Sequence, residues 1–189
     1  MKHIAVIGLK SKTGRAIAVV LRESDRSPEF VLREEVPLSD SRMPATQQPY
    51  HEVMELPWNE ALIAVQPIID AIEKIASESL AALVENTEAL GCRVKGVAVV
   101  GPAERRLERI GNPHIRAHAA EGVLFRRVLE VAAKANRCRS WAFVDPKTEL
   151  EKSEREIQKV LTALGRAAGS PWRSEEKAAA MASWAALSR

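Results

Sequence analysis

The chain has 189 residues, of which 46% are hydrophobic and 28% charged, and its formal net charge is +3. These proportions are typical of a globular domain and exclude a disordered or collagen-like chain. Because a single hydrophobic core can grow to about 250 residues, we predict one domain over residues 1–189, with a loop excursion around residues 39–56.

The first part of the chain predicts three β-strands in succession. Residues 2–9 form a short apolar run rich in Ile and Val, and residues 10–14 form a polar turn. Residues 15–21 concentrate β-branched side chains in a short segment, which favours a second strand over a helix. Residues 29–36 predict a third strand, and strands joined by turns this short form an antiparallel meander.

The middle of the chain predicts a helix followed by a buried strand. Residues 59–90 place apolar side chains at spacings of three and four, with a kink or restart at Pro67 and a stop at Gly91. Residues 94–101 are a continuous apolar run, which is typical of strands in parallel sheets because such strands are buried on both faces.

The next segment predicts a second helix and a fifth strand. Asn112 is a capping residue and Pro113 favours the first helical position, so the helix is predicted over residues 113–136. The fifth strand is predicted over residues 140–144, and an amphipathic helix over residues 149–164 follows it.

Two further helix boundaries are predicted near the carboxyl terminus. Gly165 is predicted to end the preceding helix, and Ser174 is predicted to cap a final helix whose first turn contains Glu175 and Glu176. The order of elements is then βββαβαβα. It predicts an α/β fold in which a five-stranded mixed sheet is flanked by helices.

The turn after the first strand has a recognisable pattern. Gly8–Gly14 has the sequence GLKSKTG, with Lys10 at its third position. Together with the order of elements, this turn resembles the ribonuclease H-like superfamily, which includes Holliday-junction resolvases and transposase cores. In members of that superfamily, the corresponding segment resembles G-I-D-x-G-x-x-x-G. In this chain, Lys10 stands where the aspartate of that segment would be. The resemblance implies a ribonuclease H-like domain that processes or binds nucleic acid.

The resemblance also implies where catalytic acids would stand. Enzymes of the superfamily gather carboxylates from strand one, strand four and the last helix, where they hold two magnesium ions. In this sequence strand one has Lys10, Glu104 follows strand four on a loop, and Glu175 and Glu176 lie in the capping turn of the last helix. Because a cation at Lys10 opposes the binding of a divalent metal, we predict a degenerate site without standard two-metal nuclease activity.

Positive charge is concentrated in one part of the sequence. Between Glu104 and Arg139 there are nine Lys and Arg residues against four acids. Such a surface attracts partners that carry phosphate, whereas the alternative is a solvated helix face. We therefore predict a binding or interaction module whose partner is nucleic acid. The sequence leaves the oligomeric state open, and a homodimer is one alternative. The predicted phosphate contacts are Lys10, Lys12, Arg105, Arg106, Arg109 and Arg116.

The same glycine-rich turn supports an alternative function. Gly8–Gly14 is also similar to the opening of Rossmann-type domains, whose glycines let the backbone approach a pyrophosphate. NAD(P) or another nucleotide would then be the cofactor, and Lys10, Lys12 and Arg15 could meet a 2′-phosphate. This alternative requires a helix from Thr13 to Arg22, whereas the ribonuclease H-like fold requires a strand there.

The most specific polar cluster consists of His114, His118 and Glu121, which share one face of the second helix because they are spaced by four and three. This spacing can chelate zinc or manganese, in which case the chain would be a metal-dependent hydrolase. The alternative is structural, since Glu121 is predicted on the core side, where a buried carboxylate needs a histidine or arginine partner. The three residues are the catalytic candidates, and no metal ligand is assigned.

The sequence also carries expectations about location. No apolar run approaches the ~18 residues that a membrane-spanning helix needs, and residues 1–12 do not resemble a secretion signal. We therefore predict no membrane association and a cytoplasmic location. Cys92 and Cys138 are predicted to be reduced thiols, because disulfides are rare in the cytosol.

Overall fold

Five strands form one mixed sheet at the centre of the computed structural model, which describes residues 2–189. The strands are β1 (His3–Lys12), β2 (Arg15–Arg22), β3 (Glu29–Pro37), β4 (Cys92–Val100) and β5 (Arg139–Phe143). Their order across the sheet is β3-β2-β1-β4-β5. The first three strands form an antiparallel meander, whereas β4 pairs parallel with β1 and β5 pairs parallel with β4.

Helices cover both faces of this sheet. They are α1 (Pro49–Glu52), α2 (Trp58–Ala64), α3 (Gln66–Ala89), α4 (Pro113–Ala135), α5 (Glu154–Ala168) and α6 (Ser174–Leu187). Short 3-10 turns lie at Pro44–Thr46, Leu107–Arg109 and Pro146–Glu149. The predicted α/β class and the five-stranded mixed sheet are confirmed.

The segment after the first turn is a strand rather than a helix. β2 pairs with β1 over its whole length, from Ala5 opposite Arg22 to Lys12 opposite Arg15. Gly14 allows the tight reversal because its φ of +71° lies in the left-handed region. A Rossmann-type site at Gly8–Gly14 needs a helix at this place, so the dinucleotide-binding alternative loses its structural basis.

Side chains of β1 alternate between two hydrophobic cores, as the pleat of a strand requires. Ala5, Ile7 and Leu9 belong to the core under α3 and α4. Val6 belongs to the second core, to which α5 and α6 contribute, and Gly8 faces α6 directly. The central strand is therefore buried on both faces, which explains its continuous apolar sequence.

The segment before the first long helix contains more structure than predicted. The predicted loop excursion at residues 39–56 includes the 3-10 turn at Pro44–Thr46 and the short helix α1. The predicted restart near Pro67 is confirmed, because α2 and α3 meet at Val65.

The predicted bounds of the fifth helix are wrong. α5 begins at Glu154 and continues through Gly165 to Ala168, and Gly169 with a φ of +71° ends it. Gly165 has a packing role instead, because a Cβ there would lie 2.6 Å from Cδ1 of Trp172. A glycine that packs inside a helix and a glycine that ends one look the same in the sequence, which explains the error.

The start of the last helix also differs by one residue. Arg173 occupies the capping position and Ser174 is the first helical residue. The backbone N–H of Arg173 donates to Oε2 of Glu176 at 2.7 Å, so Glu176 supplies the side-chain half of the cap.

Two further expectations concern the thiols and the membrane. Cys92 and Cys138 are both free thiols, and burial raises the pKa of each. None of the helices within residues 2–189 combines the length and the apolar composition that crossing a bilayer requires.

The contact between β1 and α6 gives a test of this fold. A Cβ at Gly8 would overlap the carbonyl oxygen of Ala179, so we expect Gly8→Ala to lower the free energy of unfolding by roughly 1–3 kcal/mol or more. Urea denaturation measures the change. Gly111→Ala is the matched control, because a Cβ at Gly111 meets no atom within 4 Å, and we expect a change below about 0.5 kcal/mol. Equal effects of the two substitutions would contradict the packing of α6 directly on β1.

Candidate functional site

The carboxyl ends of β1 and β4 meet at one edge of the sheet. Lys10 of β1 lies beside Val100 at the end of the parallel strand β4. The helix α6 begins at the same edge, since Nζ of Lys12 lies 2.8 Å from Oε1 of Glu175 in its first turn. Alternation along β1 then places Lys10 and Lys12 on the α6 side and Ser11 on the α4 side.

Two lysines and one glutamate set the charge on the α6 side of this edge. Burial and the neighbouring Lys12 lower the pKa of Lys10, and Glu175 opposes this shift. The hydrogen bond from Lys12 is the largest cause that lowers the pKa of Glu175 to about 2, and a backbone N–H and Ser174 add to it. The carboxylate of Glu175 is thus paired with Lys12, and Lys10 places a second cation beside this pair.

The α4 side of the edge is closed by Arg126. Its guanidinium donates to the carbonyl oxygen of Pro102 at 3.0 Å and lies 3.4 Å from Oε1 of Glu104 and 3.1 Å from Oε1 of Glu130. A Cβ at Gly101 would lie 2.8 Å from Cβ of Arg126, so glycine allows this close approach. Glu104, the acid that follows strand four, is therefore an ion-pair partner of Arg126.

Three of the predicted phosphate contacts are exposed on the segment between β4 and α4. Within residues 2–189, Arg105, Arg106 and Arg109 form no ion pair. Arg116 differs, because its guanidinium carbon lies 5.0 Å from the ring centre of Trp58 and the side chain is partly buried. We use the name cationic edge for Lys10, Arg105, Arg106 and Arg109. Lys12, also a predicted phosphate contact, lies beside Lys10 but is paired with Glu175.

A second group of polar side chains lies near the start of α4, where three of the four histidines of the chain meet. His114 and His118 lie one turn apart, and their Nε2 atoms are 3.2 Å apart. His51 comes from α1, and its ring centre lies 5.0 Å from that of His114 and 4.4 Å from that of His118. One ring nitrogen of each histidine lies within 4.8 Å of the others. We call these three residues the histidine cluster.

Glu121 contacts this cluster through His51. Its Oε1 lies 2.8 Å from Nδ1 of His51 and accepts the backbone N–H of His51 at 3.3 Å. Glu121 is 1% exposed, so the prediction that it faces the core and pairs with a histidine is confirmed. The partner is His51, however, and neither of the two histidines on its own helix. Among the described residues, Nε2 of His51 and Oε2 of Glu121 are buried without a hydrogen-bond partner.

An aromatic stack fixes the position of α1 beside α4. The ring of Tyr50 stacks on that of Trp58 with centres 5.7 Å apart, and Arg116 of α4 lies over the same indole. Burial raises the pKa of Tyr50, which keeps its hydroxyl neutral. Because Tyr50 precedes His51, this stack holds the His51 backbone close to the first turns of α4.

His51 is the functional candidate that the sequence did not predict. It lies within residues 39–56, where no periodicity assigns a direction to any side chain. The sequence contains only indirect evidence for the role of His51. A buried Glu121 needs a partner, and the chain has only four histidines that could supply one.

Comparisons with known proteins identify solved structures that share the fold of this chain. No protein-family model matches the chain, and no curated protein matches it either. The structure of T. thermophilus RuvC in complex with a Holliday junction substrate matches with a TM-score of 0.52 at 14% identity, over 97% of this chain and 92% of that chain. A second structure of Thermus thermophilus RuvC gives a TM-score of 0.51 at 13% identity, over 96% and 92% of the two chains.

RuvC is a resolvase of the ribonuclease H-like superfamily. The chain has the ribonuclease H-like fold. The resemblance to that superfamily implies carboxylates on strand one, strand four and the last helix that hold two magnesium ions. In this chain Lys10 lies near the end of β1, and Glu175 in the first turn of α6 pairs with Lys12. Glu104, on the loop after β4, lies 3.4 Å from Arg126. Lys10 is a cation at the place where the resemblance implies a carboxylate, and a cation there opposes the binding of two magnesium ions.

The ion pair at this ribonuclease H-like edge can be tested by titration. We expect Lys12→Met to raise the pKa of Glu175 from about 2 toward its ordinary value of 4.5, because the hydrogen bond from Lys12 is the main cause of the shift. Since the folded pKa is depressed, the pair stabilises the fold above about pH 4.5 and loses this effect as the pH falls toward 2.

An NMR titration of the glutamate side-chain carboxyl carbons measures this pKa. Lys10→Met is the matched control, because it removes an adjacent charge whose amine forms no ion pair with Glu175 within residues 2–189. A pKa that stays near 2 in Lys12→Met would show that another group holds the carboxylate.

Proposed function

We propose that this chain is a ribonuclease H-like domain that binds nucleic acid at the cationic edge and does not cleave it by the two-metal route. The observation that carries the proposal is the charge at this edge. Lys10 stands where the resemblance expects an aspartate, and the nearby Glu175 is held by Lys12. A place that would attract magnesium ions in a nuclease attracts phosphate in this chain.

The exposed arginines extend this field beyond the sheet. Arg105, Arg106 and Arg109 lie between β4 and α4, on the segment that leaves the sheet at the same edge as Lys10. Phosphate contacts need cations that are not already neutralised, and these three have no acidic partner within residues 2–189. Arg116 lies over Trp58 and serves to position α4, so we remove it from the set of phosphate contacts.

The structural neighbour indicates which class of nucleic acid to test first. One RuvC structure with the same fold was determined in complex with a Holliday junction substrate. We therefore choose a four-way DNA junction as the first probe, and a duplex and a single strand of the same sequence as comparisons. Contacts to phosphates alone carry no base specificity, so we expect selection by shape rather than by sequence.

The electrostatic part of the proposal predicts a salt dependence. We expect affinity to fall steeply with salt. We also expect the double substitution Arg105→Ala with Arg106→Ala to reduce the slope of log K against log salt by about 0.9 for each phosphate that the variant no longer neutralises. Fluorescence anisotropy at several salt concentrations measures the slope.

The control for this experiment removes the same charge elsewhere. Arg155 and Arg166 lie exposed on α5, so Arg155→Ala with Arg166→Ala changes the net charge equally without touching the cationic edge. We expect this variant to keep the wild-type slope. Absence of binding to all three nucleic acids, or an equal loss in both double variants, would overturn the proposal.

The catalytic part of the proposal is tested separately. We expect a labelled junction to stay intact when it is incubated with the chain and Mg²⁺ or Mn²⁺, because Lys10 stands in place of an aspartate and Glu175 is paired with Lys12. Gel electrophoresis of the strands measures cleavage. Cleavage that disappears in Glu175→Gln would contradict the proposal and would show that the ion pair with Lys12 opens on binding.

A further inference from the structure

The histidine cluster has a geometry that hydrogen bonding alone does not explain. An imidazole pair 3.2 Å apart, as His114 and His118 are, can share one proton, but His51 lies on the same pair with its Nε2 buried and without a partner. Two nitrogen ligands at about 2.0–2.1 Å from a tetrahedral ion lie about 3.3 Å apart. The separation of the two Nε2 atoms matches that value.

We propose that His51, His114 and His118 bind one divalent transition-metal ion of the zinc type. The cluster offers one ring nitrogen from each residue within 4.8 Å of the others, so a small adjustment of the two exposed side chains brings all three to ligand distance. Imidazole nitrogens prefer zinc and related transition metals, whereas magnesium prefers oxygen ligands. This site shares no residue with the cationic edge.

Glu121 has the role of a positioning residue in this site. Nδ1 of His51 donates to Oε1 of Glu121 at 2.8 Å, and this bond places the free lone pair of the ring on Nε2. A carboxylate that orients a ligating histidine through its other nitrogen is the usual second layer of a zinc site. Glu121 was predicted as a metal ligand or as a structural partner, and this arrangement joins the two roles without direct ligation.

The surrounding packing prepares His51 before any ion binds. Its side chain is 15% exposed, and the stack of Tyr50 on Trp58 holds the preceding residue. His114 and His118 lie on the exposed side of α4 and can turn. The site therefore has one fixed ligand and two adjustable ones. Three protein ligands leave a further coordination position for water, as in zinc sites that are open to solvent.

The alternative is a structural cluster in which Glu121 and His51 only fasten α1 to α4. That role needs the His51–Glu121 bond but gives no reason for His114 and His118, which are exposed and would be free to face water. The two explanations differ in one measurable property, because only a metal site makes affinity for zinc depend on all three histidines and on Glu121.

The test is zinc binding by protein that was purified without an affinity tag and treated with a chelator. Isothermal titration with Zn²⁺ measures affinity and stoichiometry, and the visible spectrum with Co²⁺ reports the coordination of the ion. We expect one ion per chain. We expect His114→Ala and His118→Ala each to weaken binding at least about 100-fold, and Glu121→Gln to weaken it about 10- to 100-fold.

The chain supplies its own matched control. His3 is the fourth histidine, lies exposed at the start of β1 and is outside the cluster, so His3→Ala should keep the wild-type affinity. Thermal unfolding without metal should be unchanged in His114→Ala and His118→Ala, because both side chains are exposed and their loss leaves the core intact. A large excess of Mg²⁺ should not displace Zn²⁺.

Several results would overturn the site. They are the absence of zinc binding by the wild-type chain, binding that His118→Ala leaves unchanged, and binding that His3→Ala reduces as much as His118→Ala does. Zinc binding that is unchanged in Glu121→Gln would overturn the positioning role of Glu121 while leaving the three ligands in place. Loss of nucleic-acid binding in the arginine variants has no bearing on any of these outcomes, so the two proposals fail separately.

Discussion

The central strand β1 is hydrogen-bonded to β2 on one side and to β4 on the other, and both of its faces are buried. This double pairing decides the architecture, because an antiparallel partner can follow through a two-residue turn, whereas a parallel partner needs a long crossover. The crossover here contains α1, α2 and α3. The position of β1 therefore determines where the meander lies and where the helices pack. It also determines at which edge of the sheet the segment between β4 and α4 begins.

The same strand distributes the polar groups between the two faces. Its side chains alternate, so Lys10 and Lys12 reach the start of α6 while Ser11 donates to the carbonyl oxygen of Val100 at 3.0 Å. Gly8 lets α6 come close enough for Glu175 to meet Lys12. A larger residue at Gly8 would move the helix and separate that pair. The charge at the edge thus depends on a packing contact in the core.

The fold was predictable because its signals are local and repeated, whereas the sites depend on contacts between distant residues. The β-branched residues of 15–21 and the Asn112–Pro113 start of α4 each determine their own element. The one-face placement of His114, His118 and Glu121 also follows from helical spacing. No local rule brings His51 to that face, because α1 is held by the stack of Tyr50 on Trp58. The pairing of Arg126 with Glu104 was missed for the same reason.

The two proposed sites differ in the type of ligand atom that each offers, and this difference determines the class of ion that suits each site. At the edge near Lys10, Glu175 is paired with Lys12, and Glu104 lies 3.4 Å from Arg126. Any metal bound there would use oxygen ligands, which magnesium prefers. The nitrogen ligands of the histidine cluster suit a different class of ion, and they lie on α1 and α4 rather than at the ends of β1 and β4. Binding of zinc at the proposed site would therefore tie α1 to α4, and it would supply no ligand to the edge of the sheet.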